Sequence, residues 1–331
     1  MSDLWSGLAL VLAGGLCQGS FMAPSKWIRG WAWENYWLLF AVSAYLICPW
    51  ALALTTIPHL LDVYSQVSAH SFLVVALFGS AWGIGAVTFG LGVDALGVAL
   101  GFAVILGVAT MAGTLIPLIA NPPTGFGLQK AVLMGSALLL MLAGVAVCSW
   151  AGKWKESAGA KSYRRGVLIC VTSGFLSACG NLGFNFGAEV IETAKKMGVA
   201  DHLAASALWT LLTLPLFLCN SAFASWRLVS NGTAALYKLP GSAKSTVLGL
   251  LMGLLWMSGM AFYGAGARTL GPLGPSLGWA ILMSSMVLVA NLVGFIAGEW
   301  AEAPAAAKRR LFQGLGLLVV SIALLGAANS A

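Results

Sequence analysis

The chain has 331 residues, of which 60% are hydrophobic and only 8% are Asp, Glu, Lys or Arg. A typical soluble domain carries about 25% charged residues, so the composition excludes a soluble enzyme, a disordered chain and a nucleic-acid-binding protein. The net charge of +7 arises from 17 basic and 10 acidic residues. In a membrane protein, an excess of Lys and Arg collects in cytoplasmic loops.

Ten mostly apolar windows follow one another along the chain, each near the 20 or so residues that a helix needs to cross a bilayer. They lack the alternation of apolar and polar residues seen in membrane β-barrels, so each is predicted to be a transmembrane α-helix. The predicted spans are 4–24, 36–57, 71–93, 96–120, 130–150, 166–188, 203–226, 246–267, 273–297 and 311–328. The polar connections, the longest of which are 58–70, 151–165, 189–202 and 227–245, are too short for a soluble domain. The sequence therefore predicts an all-α integral membrane protein with one domain over residues 1–331.

The basic residues are distributed unevenly between the two sides of the predicted bundle. The connections that follow odd-numbered spans hold 13 of the 17. The other side holds four, which are Lys130, Lys195, Lys196 and Arg268. The positive-inside rule then places both termini outside the cytoplasm.

Predicted spans 3 and 8 resemble each other at a constant offset of 174 residues, which matches Gly79 with Gly253 and Trp82 with Trp256. Phe89 matches Tyr263 at the same offset, and Asp94 is replaced by Arg268. The resemblance divides the chain into two five-helix repeats, 1–150 and 151–331. Because five is odd, the second repeat crosses the membrane in the opposite sense. Such inverted repeats are typical of secondary transporters, although chance similarity between two glycine-rich helices is the alternative.

Several blocks resemble the L-rhamnose–proton symporter family of the drug/metabolite transporter superfamily, and they occur in the family's order. They are FMAPSKWIRGWAWENYW at 21–37, AWGIG at 81–85, GTLIPLI at 113–119, RRGVLICVTSGFLSACGNLGFNFGAE at 164–189, MGV at 197–199, MGLLWMSGMAFYGAGAR at 252–268 and GEW at 298–300. The resemblance implies ten helices, a multi-pass location in the bacterial inner membrane and import of a deoxysugar with a proton. It implies no cofactor and no metal.

Span 9 and the segment that follows span 6 depart from the family's pattern. These departures leave open which sugar is carried and whether the coupled ion is a proton or sodium. The implied partners are the sugar, the ion and the lipid bilayer, with no nucleic acid, and the sequence does not specify the oligomeric state.

Polar and aromatic residues near span centres are the candidates for sugar binding, because sugar sites combine hydrogen-bonding groups with an apolar wall. In span 6, Asn181 and Asn185 share a helical face with Ser173 and Ser177. The other candidates are Gln18, Trp82, Trp256, Tyr263 and Trp279. The alternative for each polar residue is an ordinary hydrogen bond between helices, and the alternative for each aromatic residue is core packing.

Four charges near span ends suggest gates. The predicted topology puts Lys26 and Asp94 on the cytoplasmic side and Glu189 and Arg268 on the other. We expect Lys26–Asp94 to close the inner gate and Glu189–Arg268 the outer one, with solvated loop charges as the alternative. Glu189 and Asp94 are also the candidates for proton coupling, because none of the predicted spans has an acid or histidine at its centre.

Other functions remain to be separated from sugar–proton symport. A metabolite or drug exporter of the same superfamily is the second carrier hypothesis. An integral-membrane enzyme would need clustered catalytic residues, and the sequence has neither an HExxH motif nor a nucleotide-binding GxxxxGK[ST] motif. A channel is disfavoured by the inverted repeat.

Overall fold

The computed structural model describes residues 2–96, 98–123, 126–153 and 163–330. Within these ranges all regular structure is helical, and ten helices are long and apolar enough to cross a membrane. These spans 1 to 10 are Leu4–Trp27, Trp33–Thr56, Ala69–Leu96, Leu100–Ala120, Leu128–Gly152, Arg164–Lys196, Asp201–Ser230, Ser242–Thr269, Gly271–Ile296 and Ala305–Ser330. The prediction of an all-α protein with ten spans is therefore confirmed.

Three connections differ from the predicted ones. The stretch 189–202 was expected to be a loop, but the helix restarts after Gly187 and runs over Ala188–Lys196. The connections 58–70 and 227–245 contain the short helices Leu60–Ser65 and Thr233–Lys238. Polar helices of this length leave no hydropathy signal, because they lie at the membrane surface. Most of the predicted connection 151–165 is outside the described residues.

Span 2 is not a uniform α-helix. Residues Val42–Ile47 form a π-helical turn, followed by Pro49 near the start of the next α-helical segment. Proline has no backbone N–H to donate, which disturbs the preceding turn, and π-turns often lie at functional sites. This turn holds Tyr45, which is 3% exposed.

The spans pack as two bundles of four with a separate helix pair. We call spans 1, 2, 8 and 9 the first bundle and spans 3, 4, 6 and 7 the second bundle. In the first bundle, span 8 packs against spans 1 and 2, and span 9 against span 1. In the second, span 3 packs against spans 6 and 7, and span 4 against span 6. Spans 5 and 10 pack against each other.

Glycines allow the close approach of helices within each bundle. A Cβ atom at Gly79 of span 3 would lie 2.5 Å from the carbonyl oxygen of Leu212 in span 7. A Cβ atom at Gly253 of span 8 would collide with Ser43 in span 2. Small residues let helix backbones meet in this way in membranes, so these helix pairs are fixed by backbone contact.

We call the face at which span 1 begins and span 10 ends the terminal face, and the other one the opposite face. The connections after spans 2, 4, 6 and 8 lie at the terminal face. Those after spans 1, 3, 5, 7 and 9 lie at the opposite face.

Candidate substrate site

Two tryptophans meet between the two bundles at the middle of their spans. The ring centroids of Trp82 in span 3 and Trp256 in span 8 are 5.6 Å apart with the planes inclined at 37°. Both side chains are buried, at 8% exposed. Tyr45 meets Trp256 edge to face at 4.8 Å, and Gly180 of span 6 lies directly against the Trp82 ring. Indole faces of this kind offer a flat apolar wall to a sugar ring.

Gln18 lies beside this aromatic group, toward the opposite face. Its side-chain Nδ-type amide nitrogen, Nε2, donates to the carbonyl oxygen of Trp256 at 2.8 Å, and the residue is 5% exposed. This bond fixes one amide hydrogen and leaves the amide oxygen and the second hydrogen. Gln18 therefore has hydrogen-bonding capacity next to the tryptophan pair.

Asn181 and Tyr263 form a buried polar layer on the terminal side of the tryptophans. The Tyr263 hydroxyl donates to Asn181 Oδ1, with the carbonyl oxygen of Pro275 at 3.2 Å. Asn181 Nδ2 donates to the carbonyl oxygens of Gly113 at 2.7 Å and Pro275 at 2.9 Å. Asn181 and Tyr263 are each 0% exposed, so this layer ties spans 4, 6, 8 and 9 together.

Trp279 belongs to the same layer. Its indole N–H donates to the carbonyl oxygen of Ala109 at 3.2 Å, and its ring meets Tyr263 edge to face at 5.7 Å. Gly113 lies against the indole, where a Cβ atom would clash. Trp279 thus joins span 9 to span 4 across the two bundles.

Asn185 lies one helical turn further toward the terminal face. It is half-buried, and its Oδ1 accepts a hydrogen bond from Asn121 Nδ2 at 3.1 Å. The Ser173 hydroxyl donates to the carbonyl oxygen of Gly85 at 3.0 Å. Asn185 and Ser173 therefore make helix–helix hydrogen bonds within the second bundle.

The charges at the terminal face form one network across the bundles. Arg268, at the end of span 8, contacts Glu192 at 2.7 Å and Asp201 at 3.0 Å. Lys195 contacts Asp201 at 3.0 Å. Glu192, Lys195 and Asp201 belong to spans 6 and 7, so Arg268 bridges the first bundle to the second at this face.

Neither of the two predicted gate pairs is formed in the structure. Lys26 pairs with Glu299 at 2.6 Å, and Glu189 accepts hydrogen bonds from Ser68 and Ser71 at the start of span 3. Arg268 pairs with Glu192 in place of Glu189, because the helix restarts at Gly187 and presents the next turn to span 8. Asp94 is exposed at the opposite face.

Glu34, which the sequence placed at a span end, is the buried acid among the residues whose side chains are described. It is 2% exposed at the start of span 2. Its Oε1 accepts hydrogen bonds from Asn231 Nδ2 and Thr233 Oγ1, both at 2.8 Å. These donors lie almost 200 residues away in the connection between spans 7 and 8, so no local pattern announces the contact.

Comparison with known proteins identifies the chain. Residues 2–329 match the family described as L-rhamnose-proton symport protein. An L-rhamnose-proton symporter of Klebsiella pneumoniae is 29% identical over 97% of this chain and 96% of its own length. Those of Citrobacter koseri and Escherichia coli are 27% and 28% identical with the same coverage. The resemblance seen in the sequence is therefore confirmed, and this multi-pass membrane protein belongs to the L-rhamnose-proton symport protein family, whose members are transporters.

Proposed function

We propose that this protein imports L-rhamnose or a related sugar together with a proton, and that the sugar lies between Trp82 and Trp256. The observation that carries the proposal is the position of these rings. One belongs to each bundle, and they meet at mid-span. Transporters built from two repeats hold their substrate at such a midplane interface.

The groups around the tryptophans suit a deoxysugar. The indole faces and the edge of Tyr45 form an apolar wall, which fits the ring face and methyl group of L-rhamnose. Gln18, on one side, has hydrogen-bonding capacity for hydroxyls. Asn181 and Tyr263, on the other side, have their polar atoms turned to each other and to span 9. Asn181 and Tyr263 thus bound the site on the terminal side, with Trp279 bracing them and Asn185 beyond them.

The packing supports transport by alternating access between two five-helix repeats. Exchanging spans 1–5 with spans 6–10 turns the helix pairs of the first bundle into those of the second. This equivalence is what an inverted repeat produces, and it lets a carrier reach a second state in which the two bundles exchange their end contacts. Arg268 is the proposed lock of the terminal face, with Glu192 and Asp201 as its partners. Lys26 and Glu189 brace one bundle each.

Proton coupling needs a titratable group whose surroundings change with the access state. We assign this role to Glu34, because its carboxylate is buried between span 2 of the first bundle and the connection that leaves span 7 of the second. The other titratable groups near it are Arg227, Tyr36 and Tyr237. Burial raises the pKa of the Tyr237 phenol, which keeps it neutral. Asp94 and Glu189 are the exposed alternatives.

The proposed location is the bacterial inner membrane, with both termini in the periplasm. The support for this orientation is the charge distribution, since 13 of the 17 basic residues lie on the connections of the opposite face. The opposite face is then cytoplasmic.

Counterflow in proteoliposomes tests the substrate. Vesicles preloaded with unlabelled L-rhamnose should accumulate external labelled L-rhamnose transiently, and a panel of other sugars should compete in order of similarity to it. A panel in which L-rhamnose neither exchanges nor competes, while a non-sugar metabolite does, would favour the exporter.

A further inference from the structure

The terminal face is sealed by three aromatic rings that belong to both bundles. Phe184 of span 6 stacks on Trp209 of span 7 at 5.1 Å, and Tyr263 of span 8 lies 5.4 Å from Phe184 and 6.3 Å from Trp209. All three side chains are at most 2% exposed. Rings at these distances attract one another beyond the area they bury, so this triad closes the path from the substrate site to the terminal face.

Contacts between the spans show which residues occupy equivalent places at the opposite face. Gly79 and Gly253, 174 residues apart, touch Leu212 and Ser43, which are 169 apart. At that offset Trp209 corresponds to Phe40. Gly85 and Gly259, also 174 apart, touch Ser177 and Gly14, which are 163 apart. At that offset Phe184 corresponds to Phe21.

The counterpart of the sealing triad is therefore Phe21, Phe40 and Phe89, and it is incomplete. Phe21 and Phe40 pair at 5.4 Å. Phe89, the counterpart of Tyr263, pairs instead with Phe102 of span 4 at 4.9 Å, within its own bundle. Among the described residues, spans 7 and 8 pack against each other, whereas their counterparts, spans 2 and 3, make little contact.

The neighbouring glycines show the same asymmetry. A Cβ atom at Gly264 would lie 2.8 Å from Trp209 Nε1, whereas a Cβ atom at Gly90, its counterpart, would meet nothing within 4 Å. The structure is therefore closed at the terminal face and open at the opposite face. Gly90 faces a space that its counterpart has filled.

The charges repeat the pattern with their signs exchanged. Arg268 corresponds to Asp94 at an offset of 174 residues, and Glu192 corresponds to Arg29 at 163. The pair Arg268–Glu192 is formed at 2.7 Å. Asp94 and Arg29 are both exposed, and each stands on a different bundle. The partner of Asp94 indicated by the fold is thus Arg29, not the Lys26 expected from the sequence.

We propose that the opposite face closes, in the second access state, when Phe89 leaves Phe102 and packs on Phe21 and Phe40 while Asp94 pairs with Arg29. This gate rests on the proposed alternating access. It completes the exchange of end contacts between the bundles: one triad and one ion pair open as the others close.

Charge exchange tests the ion pair. Arg29→Glu and Asp94→Arg each place like charges across the closing face, so each should lower L-rhamnose uptake about tenfold, a population shift of about 1.4 kcal/mol. The double variant R29E/D94R restores opposite signs and should recover most of the uptake. The proposal is overturned if both single variants transport like the unmodified protein, or if the double variant is no better than the weaker single one. Rescue also separates a gate from a proton site, since Arg at position 94 carries no exchangeable carboxyl proton.

Gly90 tests the ring closure without disturbing the observed state. Gly90→Leu adds bulk to open space, so the variant should fold and bind L-rhamnose, measured by tryptophan fluorescence, while its uptake falls about tenfold. Gly316→Leu, at a span 10 glycine that also has no neighbour within 4 Å, is the matched control and should transport normally. Uptake by Gly90→Leu equal to that of the control contradicts the gate.

A readout that needs no sugar separates failure of the gate from failure of the proposed substrate. In a cysteine-free background, Gly90→Cys should react with an impermeant maleimide added at the opposite face. Asp94→Arg should raise the reaction rate, and the added Arg29→Glu should return it. An unchanged rate in both backgrounds contradicts the gate whatever sugar is carried.

Discussion

The hydroxyl of Tyr263 in span 8 donates to Asn181 Oδ1 in span 6, which joins the two bundles on the terminal side of the tryptophan pair. Both residues are fully buried, and a buried asparagine without partners costs free energy in a membrane. The bond therefore holds the terminal face shut as long as nothing competes for these groups.

Tyr263→Phe should weaken this closed state. The variant keeps the ring and its aromatic contacts but loses the hydroxyl, leaving Asn181 Oδ1 without that donor. A buried hydrogen bond contributes about 1 kcal/mol, so the thermal midpoint in detergent should fall by a few degrees. Tyr237→Phe, which loses a hydroxyl bonded to the Asn35 carbonyl at the protein surface, is the comparison. An unchanged midpoint for Tyr263→Phe would show that the bond does not stabilise this state.

Trp256→Ala should weaken sugar binding more than folding. Removal of one wall of the site should raise the KM for L-rhamnose about tenfold, equivalent to about 1.4 kcal/mol of binding. Trp82→Ala should act in the same direction. Trp226→Ala, at an outward-facing tryptophan that is 59% exposed, is the control and should leave the KM unchanged. Equal KM values for all three variants would remove the tryptophan pair from the site.

Glu34→Gln should uncouple sugar movement from the proton. Both observed hydrogen bonds end on one carboxylate oxygen, which the glutamine carbonyl oxygen can replace, so the fold should survive. Glutamine does not titrate, so uptake driven by a pH gradient should be lost while sugar exchange at equal pH persists. Glu34→Ala, which lacks both hydrogen bonds, should in addition lower stability. Normal gradient-driven uptake by Glu34→Gln would leave Glu34 a purely structural acid.

Arg268→Ala should loosen the terminal face. The substitution removes the cation that contacts both Glu192 and Asp201, although Lys195 still neutralises Asp201. A reporter cysteine at Ala205, which is 3% exposed beside Gly264, should then react faster with an impermeant maleimide. Lys308→Ala, which affects a lysine at the opposite face, should not change the rate. If Arg268→Ala leaves both labelling and transport unchanged, Arg268 is not part of the lock.

The number of spans and the family were predictable because both are written locally. Hydropathy marks each span, and the blocks at 21–37 and 164–189 carry the family pattern. The tryptophan pair was also within reach, because Trp82 and Trp256 share one offset and mid-span positions.

The partners of polar groups were not predictable, because they depend on how distant helices pack. Gln18 donates to a carbonyl 238 residues away. Glu189 and Glu192 are one turn apart, yet the break at Gly187 directs Glu189 to span 3 and Glu192 to span 8. Only the packed structure distinguishes them.

Uptake of labelled L-rhamnose into proteoliposomes, with and without an imposed pH gradient, tests the central claim most directly. An exterior made acidic on the terminal face should drive accumulation above the equilibrium level. The same gradient with a protonophore should give equilibration only, and a sodium gradient at equal pH should not substitute for it. Accumulation that follows sodium and ignores pH, or no uptake of L-rhamnose under any gradient, would contradict the account.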